Sequence, residues 1–219
     1  MVMKKNNFFS QFEQDKWLYD NFYRNKKEGI FLEIGADDGI DKSNTLFFEK
    51  HLEWTGICIE PSPKRFKLLK NNRNCICENY ALSDSIGEVD FLDIAGWGKG
   101  LSGIIDKYDP RHKITIAEEI SNPMNEGREI IKVKTELLSN LLDKHSITKI
   151  DFCTIDTEGS EYDILKTLDF DKYQIDIILV ENNYEDDRVN SLLSNNGYER
   201  ICKIEIDDVY IRSNFKEKI

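Results

Sequence analysis

The sequence lacks an excess of positive charge, a dense basic cluster and any long apolar run. Its 219 residues include 41 acidic and 30 basic side chains, which gives a net charge of -11. Because nucleic acids are polyanions that such a surface repels, we expect no nucleic-acid partner. No apolar run approaches the about 20 residues that cross a bilayer, and no signal-peptide stretch follows the basic N-terminus. The sequence therefore predicts no membrane partner either.

The chain has only three histidines and an odd number of cysteines, which limits the metal and redox sites that it can build. The five cysteines are odd in number and most lie within apolar runs, as buried free thiols do in a reducing compartment, so we expect a cytoplasmic protein. Cys75 and Cys77 lack a second cysteine or histidine pair that would complete a zinc site. We interpret His51, His112 and His145 as structural, although His112 is also a candidate site residue.

What the sequence does contain is a strand–turn–helix–strand unit over residues 29–61. The apolar run 30–34 breaks at Gly35 and Gly39, where glycines let the backbone turn sharply and approach a ligand. A helical pattern follows, and the next apolar run ends at Glu60. In a parallel α/β sheet this arrangement places a glycine-lined crevice beside a ribose-binding carboxylate. The unit therefore predicts a cofactor that contains adenosine.

The glycine pattern of this turn indicates which cofactor. A dinucleotide fold uses G-x-G-x-x-G to bring backbone amides to a pyrophosphate, whereas this turn reads E-x-G-x-x-x-G from Glu33 to Gly39. Asp37 and Asp38 would repel a diphosphate but suit a cationic ligand. S-adenosylmethionine carries a sulfonium and an ammonium group and no phosphate. The turn therefore favours S-adenosylmethionine, and an NAD-dependent oxidoreductase is the disfavoured alternative.

Strand and helix signals alternate along the rest of the chain. The apolar runs 150–155 and 175–180 indicate core strands, and residues 198–204 and 209–212 indicate a closing hairpin. This alternation predicts an α/β protein with a three-layer, Rossmann-like architecture, whose mostly parallel seven-stranded sheet ends in a C-terminal antiparallel hairpin. We expect residues 1–219 to form a single domain.

Two segments stand outside this alternation. Residues 8–27 carry aromatic side chains at helical spacing, which predicts an amphipathic helix that packs on the sheet or caps the cofactor site. Residues 93–127 are irregular and glycine-rich, which is typical of a lid-like insertion or binding loop. Trp97 in that insertion either stacks on a substrate or anchors a surface excursion.

Polar residues cluster where the predicted core strands end, and ligands bind at such ends. Transfer of a methyl group to a hydroxyl requires a positioned acceptor and a group that removes its proton, and the candidates are Asp156, Glu158 and Glu181. Asp156, Glu181 and Asn182 resemble the set by which catechol and macrolide O-methyltransferases hold a divalent ion, so Mg²⁺ is a hypothesis here. Without a metal, Glu158 or Asp156 is the general base. Glu161 is interpreted as an acid that stabilises a helix N-terminus.

Several motifs together resemble the FkbM family of methyltransferases. They are S-Q-x-x-x-D-x-W-L, F-L-E-I-G-A-x-D-G, S-N-T, G-I-C-I-E-P, A-L-S-D and I-D-x-x-x-I-D-x-E-G-x-E-x-x-I-L, the last from Ile150 to Leu165. The resemblance covers residues 10–210. It implies the class I methyltransferase fold and transfer of a methyl group, usually to oxygen, often on a sugar or natural product.

The resemblance assigns Glu33, Gly35, Ala36, Gly39 and Glu60 to cofactor binding, although Glu33 has a structural alternative as an acid that bonds loop amides. Further predicted cofactor residues are Asp37, Asn44, Thr45, Pro61, Ala81, Asp84 and Asp156. Among these, Asn44 and Thr45 are expected at the methionine end of the cofactor, and Asp84 at its adenine edge.

The chain departs from the family pattern at Thr157, at Asn182–Asn183 and in its long insertion, so the resemblance does not identify the acceptor. We expect a small-molecule or glycan acceptor. The sequence leaves a homo-oligomer open. The alternative function is a catalytically inactive binding module with a cofactor fold, and the intact glycines and strand-end acids argue against it.

Overall fold

The computed structural model describes residues 8–120 and 127–216, except for the side chains of Trp97 and Ile120. Numbered in chain order, the strands are β1 (Ile30–Ile34), β2 (Thr55–Ile59), β3 (Ile76–Glu78), β4 (Ala81–Leu82), β5 (Gly87–Ile94), β6 (Gly103–Ile104), β7 (Arg128–Glu136), β8 (Lys149–Ile155), β9 (Gln174–Glu181), β10 (Tyr198–Ile204) and β11 (Asp207–Arg212).

The helices are α1 (Gln14–Leu18), α2 (Leu46–Leu52), α3 (Pro63–Asn72), α4 (Pro110–Ile120), α5 (Leu138–Lys144), α6 (Glu161–Leu165), α7 (Asp187–Asn195) and α8 (Ser213–Lys216). A π-helical turn (Tyr19–Tyr23) continues α1, and 3-10 helices cover Gly96–Leu101 and Ile105–Lys107. None of the helices in the described ranges has the length and apolar composition that a membrane crossing needs.

The main sheet has seven strands in the order β10-β11-β9-β8-β1-β2-β3. The pairs from β9 through β8, β1 and β2 to β3 are parallel, and β11 runs antiparallel to both of its neighbours. The predicted fold class is therefore confirmed. Because the chain proceeds from β1 toward β2 on one side and places β8 on the other, the sheet has a switch point at the C-terminal ends of β1 and β8.

Helices cover both faces of the main sheet, which gives the three predicted layers. On one face, α2, α3 and the N-terminal segment enclose an aromatic-rich core that includes Phe47, Phe48 and Trp54. On the other face, α5, α6 and α7 contribute leucine and isoleucine side chains such as Leu141 and Ile164. The central strands are buried on both faces, and this explains their continuous apolar sequence.

A smaller sheet, in the order β4-β7-β5-β6, stands beside the main one. The sequence pattern favours a single strand over residues 76–84, and this expectation is wrong because that strand ends at Glu78. Asn79 explains the break, since its side-chain amide donates to the backbone oxygens of Glu60 and Pro61. After the break, β4 leaves the main sheet and pairs with β7.

The two unusual segments have defined places in the fold. The expected helix near residue 14 is shorter than predicted, because α1 passes into the π-helical turn at Tyr19. Tyr23 in that turn donates a hydrogen bond to the backbone oxygen of Asp151 and so attaches the segment to the sheet. The insertion over 93–127 contains both 3-10 helices, β6 and α4, and its residues 121–126 lie outside the described part of the chain.

Candidate active site

A cavity of about 570 Å³ lies at the C-terminal ends of β1, β2, β8 and β9, at the switch point of the main sheet. Its walls come from the turn after β1, the strand-end acids, the 3-10 helix Gly96–Leu101 and the N-terminal residues Gln11 and Gln14. This is the position where an open α/β sheet binds its ligand. We call it the cofactor cavity.

The turn after β1 crosses the end of β8 at van der Waals contact, and only glycine fits there. Gly35 has φ +89°, and a Cβ atom at this position would lie 1.8 Å from the backbone oxygen of Asp156. The amides of Gly35 and Ala36 both donate to the backbone oxygen of Ile59. The glycine therefore brings the backbone of the turn, β2 and the start of the β8 loop together at one wall of the cavity.

Glu60 is buried at the end of β2 and faces the cofactor cavity. Its oxygens accept hydrogen bonds from the amides of Asp37, at 2.9 Å, and Ser62, at 2.8 Å. Burial raises the pKa of this carboxyl to about 7, against the opposing effect of the Arg65 charge. Since each carboxylate oxygen has two acceptor positions, Glu60 retains capacity for a pair of ligand hydroxyls.

Glu33 lines the same cavity, but its carboxylate is already occupied by the protein. One oxygen accepts from the amide of Asn44, at 2.8 Å, and the other from the hydroxyls of Ser43 and Thr45 and from Arg73. Both Glu33 and Arg73 are buried. Glu33 therefore fixes the start of α2, in agreement with its structural alternative.

Asn44 presents an acceptor that the protein leaves without a partner. Its Nδ2 donates to Oγ1 of Thr154 at 2.9 Å, while its Oδ1 is buried and has no hydrogen-bond partner. Asn44 lines the cofactor cavity. A buried carbonyl oxygen without a donor is costly, so this position suits a ligand that donates a hydrogen bond there, such as an ammonium group.

Nine of the predicted cofactor residues line this cavity, namely Glu33, Gly35, Ala36, Asp37, Asn44, Glu60, Pro61, Ala81 and Asp156. Gly39, Thr45 and Asp84 are absent from its lining. Thr45 instead bonds Glu33, and Gly39 packs on the side chains behind the turn. The expectation that Asp84 reaches the adenine edge is not supported. It pairs with Lys166 and Lys107, and the hydrogen bond from Lys166 lowers its pKa to about 2.

The predicted catalytic residues Asp156, Glu158 and Glu181 form a carboxylate cluster at the ends of β8 and β9. Each contributes an oxygen, and these atoms lie within 4.8 Å of one another. Asp156 is exposed toward the cavity, and the protein that surrounds its carboxyl group, together with the charge of Asp207, raises its pKa to about 7. Burial and the neighbouring carboxylates also raise the pKa values of Glu158 and Glu181. The cluster therefore retains protons that isolated carboxyl groups would lose.

Asn182 does not join this cluster, contrary to its prediction as a metal ligand. Its amide nitrogen donates to Asp208 at 2.8 Å, and its oxygen accepts from the amide of Asp186 at 2.7 Å. Glu158, which has a left-handed backbone with φ 60°, occupies the third place instead. Glu161 accepts from the amides of Thr157 and Gly159 and so holds this loop, which agrees with a structural role.

His112 contacts the carboxylate cluster, a position that its interpretation as a structural histidine does not predict. It is buried on α4, and its Nδ1 lies 3.3 Å from Oε2 of Glu158 and 3.1 Å from the hydroxyl oxygen of Tyr184. Its ring stacks on Tyr108 with 4.8 Å between centroids. The insertion thus contacts the carboxylate cluster through His112. The suggested stacking of Trp97 on a substrate concerns a side chain outside the described part of the structure.

Lys99 and Arg65 form a second link between the insertion and the site, which no sequence motif indicates. The Nζ atom of Lys99 lies 2.6 Å from Asp37 and 2.9 Å from Asp41. Arg65 donates to the backbone oxygen of Lys99 at 3.0 Å and pairs with Asp93. These contacts hold the 3-10 helix Gly96–Leu101 against the cofactor turn.

Solved structures identify the fold as a Rossmann-like methyltransferase fold. A methyltransferase FkbM from Methylobacillus flagellatus KT matches 93% of this chain and 48% of its own length, at 12% identity and a TM-score of 0.54. The N-terminal domain of human METTL16 matches 97% of this chain and 72% of its own, at 11% identity and a TM-score of 0.50. This chain therefore spans about half the length of the bacterial FkbM structure. At these identities the likeness shows the fold alone.

The sequence gives the narrower identification. The methyltransferase FkbM domain matches residues 33–200, more than half of the chain. The chain therefore belongs to the FkbM methyltransferase family, and the resemblance seen in its motifs is confirmed. A comparison with curated proteins gives no match.

Proposed function

We propose that this protein transfers the methyl group of S-adenosylmethionine to a hydroxyl group of a small molecule or a glycan. The position of Asp156 carries the proposal. Its backbone oxygen abuts Gly35 in the cofactor turn, while its carboxylate belongs to the cluster with Glu158 and Glu181. A cofactor bound at the turn would therefore lie beside Asp156, whose carboxylate can accept a proton.

The residues of the cofactor cavity fit S-adenosylmethionine in their donor and acceptor chemistry. Glu60 retains acceptor positions for ribose hydroxyls, and the unpartnered Oδ1 of Asn44 suits the ammonium group of the methionine end. The cofactor turn reads E-x-G-x-x-x-G and lacks the G-x-G-x-x-G pattern that brings backbone amides to a pyrophosphate, which argues against a dinucleotide. When bound, the cofactor supplies an activated methyl group on a cationic sulfur.

The protein's part in the reaction is to orient the acceptor hydroxyl and to take its proton. Glu158 and Asp156 are the candidate bases, because both face the cofactor cavity and have pKa values raised from their ordinary range. A base whose pKa is near the working pH removes a proton effectively in the transition state. Orientation of the reacting atoms provides much of the remaining acceleration.

A divalent ion such as Mg²⁺ is the second element of the proposal. Asp156, Glu158 and Glu181 offer oxygen ligands close together, with Glu158 in the place predicted for Asn182. Magnesium prefers oxygen ligands, and an ion here would relieve the repulsion among these carboxylates and orient the acceptor oxygen. If no ion binds, the same carboxylates act only as bases and hydrogen-bond acceptors.

Melting curves test both the binding of the cofactor and the binding of a divalent ion. S-adenosylhomocysteine should raise the melting temperature in a concentration-dependent way, because it binds only the folded protein, whereas NAD should not. A further rise with MgCl₂ that EDTA reverses, and that is lost in Asp156→Asn, would support the ion. A shift with NAD alone would contradict the proposed function. Binding of S-adenosylhomocysteine without methyl transfer to any hydroxyl compound would favour the inactive binding module.

A further inference from the structure

Three cysteines lie together on the face of the main sheet that packs against the aromatic-rich core. Cys58 lies on β2, Cys77 is its register partner on β3, and Cys75 precedes Cys77 by two residues. Side chains that alternate along a strand return to the same face every second residue, and all three cysteines contact the same core. The Sγ atoms of Cys58 and Cys75 lie 3.5 Å apart, so the two sulfur atoms are in contact.

The two sulfur atoms differ in how easily a solute can reach them. Cys58 is buried, whereas Cys75 and Cys77 are half-buried at β3, which is an edge strand of the main sheet. Contact with Cys58 raises the pKa of Cys75, and burial raises that of Cys58. Both groups are therefore thiols at neutral pH, which makes their oxidation slow. The equilibrium still favours a bond between them, because the fold already holds the two sulfur atoms in contact.

Cys58 also contacts the carboxylate that fixes the start of α2. Its Sγ donates to Oε2 of Glu33 at 3.5 Å, and the other oxygen of Glu33 accepts from the amide of Asn44 at 2.8 Å. Asn44 is the residue whose unpartnered Oδ1 lies at the cofactor cavity. Because a disulfide has no S–H group, oxidation of Cys58 would remove one donor from Glu33.

Arg73 provides a second connection between the thiol pair and the cofactor turn. It precedes Cys75 by two residues, and its guanidinium donates to Glu33 at 3.0 Å and to the backbone oxygen of Gly39 at 3.3 Å. A disulfide bond requires the two sulfur atoms to come closer than their present contact, so the segment that carries Cys75 must shift. That shift would disturb the hydrogen bonds by which Arg73 holds the turn.

We propose that Cys58 and Cys75 form a reversible disulfide that lowers the affinity of the protein for S-adenosylmethionine. The effect on the cofactor rests on the proposed function. The oxidant is a low-molecular-weight disulfide such as oxidised glutathione. The Cys75 sulfur, after loss of its proton, attacks one glutathione sulfur and displaces the other as a thiolate. Cys58 then loses its proton, attacks Sγ of Cys75 and releases the second glutathione, so that two cysteine thiols are oxidised and one glutathione disulfide is reduced to two thiols.

Peptide mass spectrometry locates the bond. The protein is equilibrated at pH 8 in glutathione buffers of increasing oxidised fraction, quenched with acid, alkylated and digested with trypsin. Cys58 falls in the tryptic peptide 51–64, and Cys75 and Cys77 both fall in peptide 74–99, so a bond from Cys58 joins two peptides. The joined peptides should be absent in Cys75→Ser and present in the matched control Cys77→Ser. Cys202, which is half-buried on β10, should remain mostly available to the alkylating reagent.

Isothermal titration with S-adenosylhomocysteine measures the effect on the cofactor site. We expect the oxidised protein to bind about fivefold more weakly than the reduced protein. Because linkage is reciprocal, saturating S-adenosylhomocysteine should make the disulfide harder to form by the same factor. This factor is read from the concentration of oxidised glutathione, divided by the square of the reduced concentration, at half-oxidation. Cys75→Ser should bind as the reduced wild type does in every buffer.

The two measurements separate the disulfide from the proposed function. Absence of the joined peptides in the most oxidising buffer would overturn the inference, as would a bond within peptide 74–99, which links Cys75 to Cys77. Equal affinities of the oxidised and reduced protein would overturn the effect on the cofactor. Reduced protein that does not bind S-adenosylhomocysteine contradicts the proposed function and this effect with it, while the peptides still decide whether the disulfide forms. If Cys75→Ser does not fold, as judged by its melting curve, Cys75→Ala replaces it, and the comparison of oxidised with reduced wild type needs no variant.

Discussion

Lys99 and Asp37 both line the cofactor cavity and form an ion pair, with 2.6 Å between Nζ and the carboxylate. Lys99 belongs to the insertion, whereas Asp37 belongs to the turn after β1, so the pair ties the insertion to the cofactor turn. Since Gly98, Gly100 and Leu101 also line the cavity, this contact holds the 3-10 helix Gly96–Leu101 as a cover over the cofactor turn.

Lys99→Met should therefore release this cover. We expect S-adenosylhomocysteine to dissociate about fivefold faster, with a smaller change in its association rate, because such contacts act mainly on dissociation. Stopped-flow fluorescence at low and high salt measures this, and the wild-type rate should rise with salt as the pair is screened. Lys113→Met, on an exposed part of α4, is the control and should change nothing. Equal rates in Lys99→Met and wild type would contradict a covering role.

The raised pKa of Glu60 predicts how stability depends on pH. Its carboxyl has an ordinary value of 4.5 and a value of about 7 in the fold. The folded state therefore binds the proton more tightly, and the resulting stabilisation is complete below about pH 4.5 and lost as the pH rises through about 7. Relative to Glu60→Gln, which cannot ionise, the free energy of unfolding of the wild type should fall by up to about 3 kcal/mol between pH 5 and pH 8.

Urea unfolding of both proteins at the two pH values measures this difference. Glu53→Gln, at an exposed glutamate that pairs with Lys27, serves as the control and should follow the wild type at both values. A constant difference between the wild type and Glu60→Gln would show that Glu60 keeps an ordinary pKa in the folded protein.

Removal of the Arg73 side chain should lower the free energy of unfolding more than removal of any other charged side chain. It is buried and bonds Glu33 and Glu49, so Arg73→Met leaves buried carboxylates without their cation. We expect a loss of about 3–5 kcal/mol in the free energy of unfolding. Adding Glu33→Gln to this variant should restore part of the loss. Arg24→Met, which breaks an exposed pair with Asp20, should cost less than about 1 kcal/mol in the same urea titration.

Gly35→Ala should damage cofactor binding more than any conservative change nearby. The new methyl group would lie 1.8 Å from the backbone oxygen of Asp156, at a φ of +89° that side chains rarely adopt, so the turn must move. We expect the affinity for S-adenosylhomocysteine to fall by about 100-fold or more in isothermal titration. Ala36→Gly is the control in the same turn. Unchanged affinity in Gly35→Ala would mean that the cofactor does not contact this turn.

His112→Phe should loosen the insertion while leaving the cofactor turn intact. Phenylalanine keeps the stacking on Tyr108 but loses the contacts of Nδ1 with Glu158 and Tyr184. Amide hydrogen exchange in residues 105–120 should become about tenfold faster, whereas exchange in residues 30–39 should stay the same. Ile114→Phe, at an exposed position of α4, is the matched control. Unchanged exchange in both segments would show that His112 does not anchor the insertion.

The parts of the fold that local patterns determine could be predicted from the sequence. Strand β9 is apolar on both faces because helices cover both faces of the sheet. Its apolar run can therefore be recognised without knowing which strands pair with it. The positions of Glu60 and Gly35 at the cavity could also be predicted, since both follow the ends of strands that are neighbours in the sequence. Pairings such as β5 with β7 join distant segments, and no local pattern indicates them.

In the candidate site, too, some features follow from local sequence patterns and others depend on how distant segments pack. Which polar residue enters the carboxylate cluster depends on backbone angles in two loops, and the left-handed conformation of Glu158 has no sequence signal. The side chain of Asn182 donates to Asp208, a residue of β11 that is 26 positions away, and no local pattern indicates this contact. Lys99 and His112 lie in an irregular segment, so their contacts with Asp37 and Glu158 follow only from the way that the insertion packs.

The hydrogen bond from Gln14 to Asp207, at 2.7 Å, joins residues that are 193 positions apart. Both side chains line the cofactor cavity, so one wall is built from the first helix and the last strand of the main sheet. During synthesis on the ribosome, a chain that lacks residue 207 has the glycine turn and the strand-end acids but not this wall. The cofactor cavity is therefore complete only after the last strand has joined the sheet.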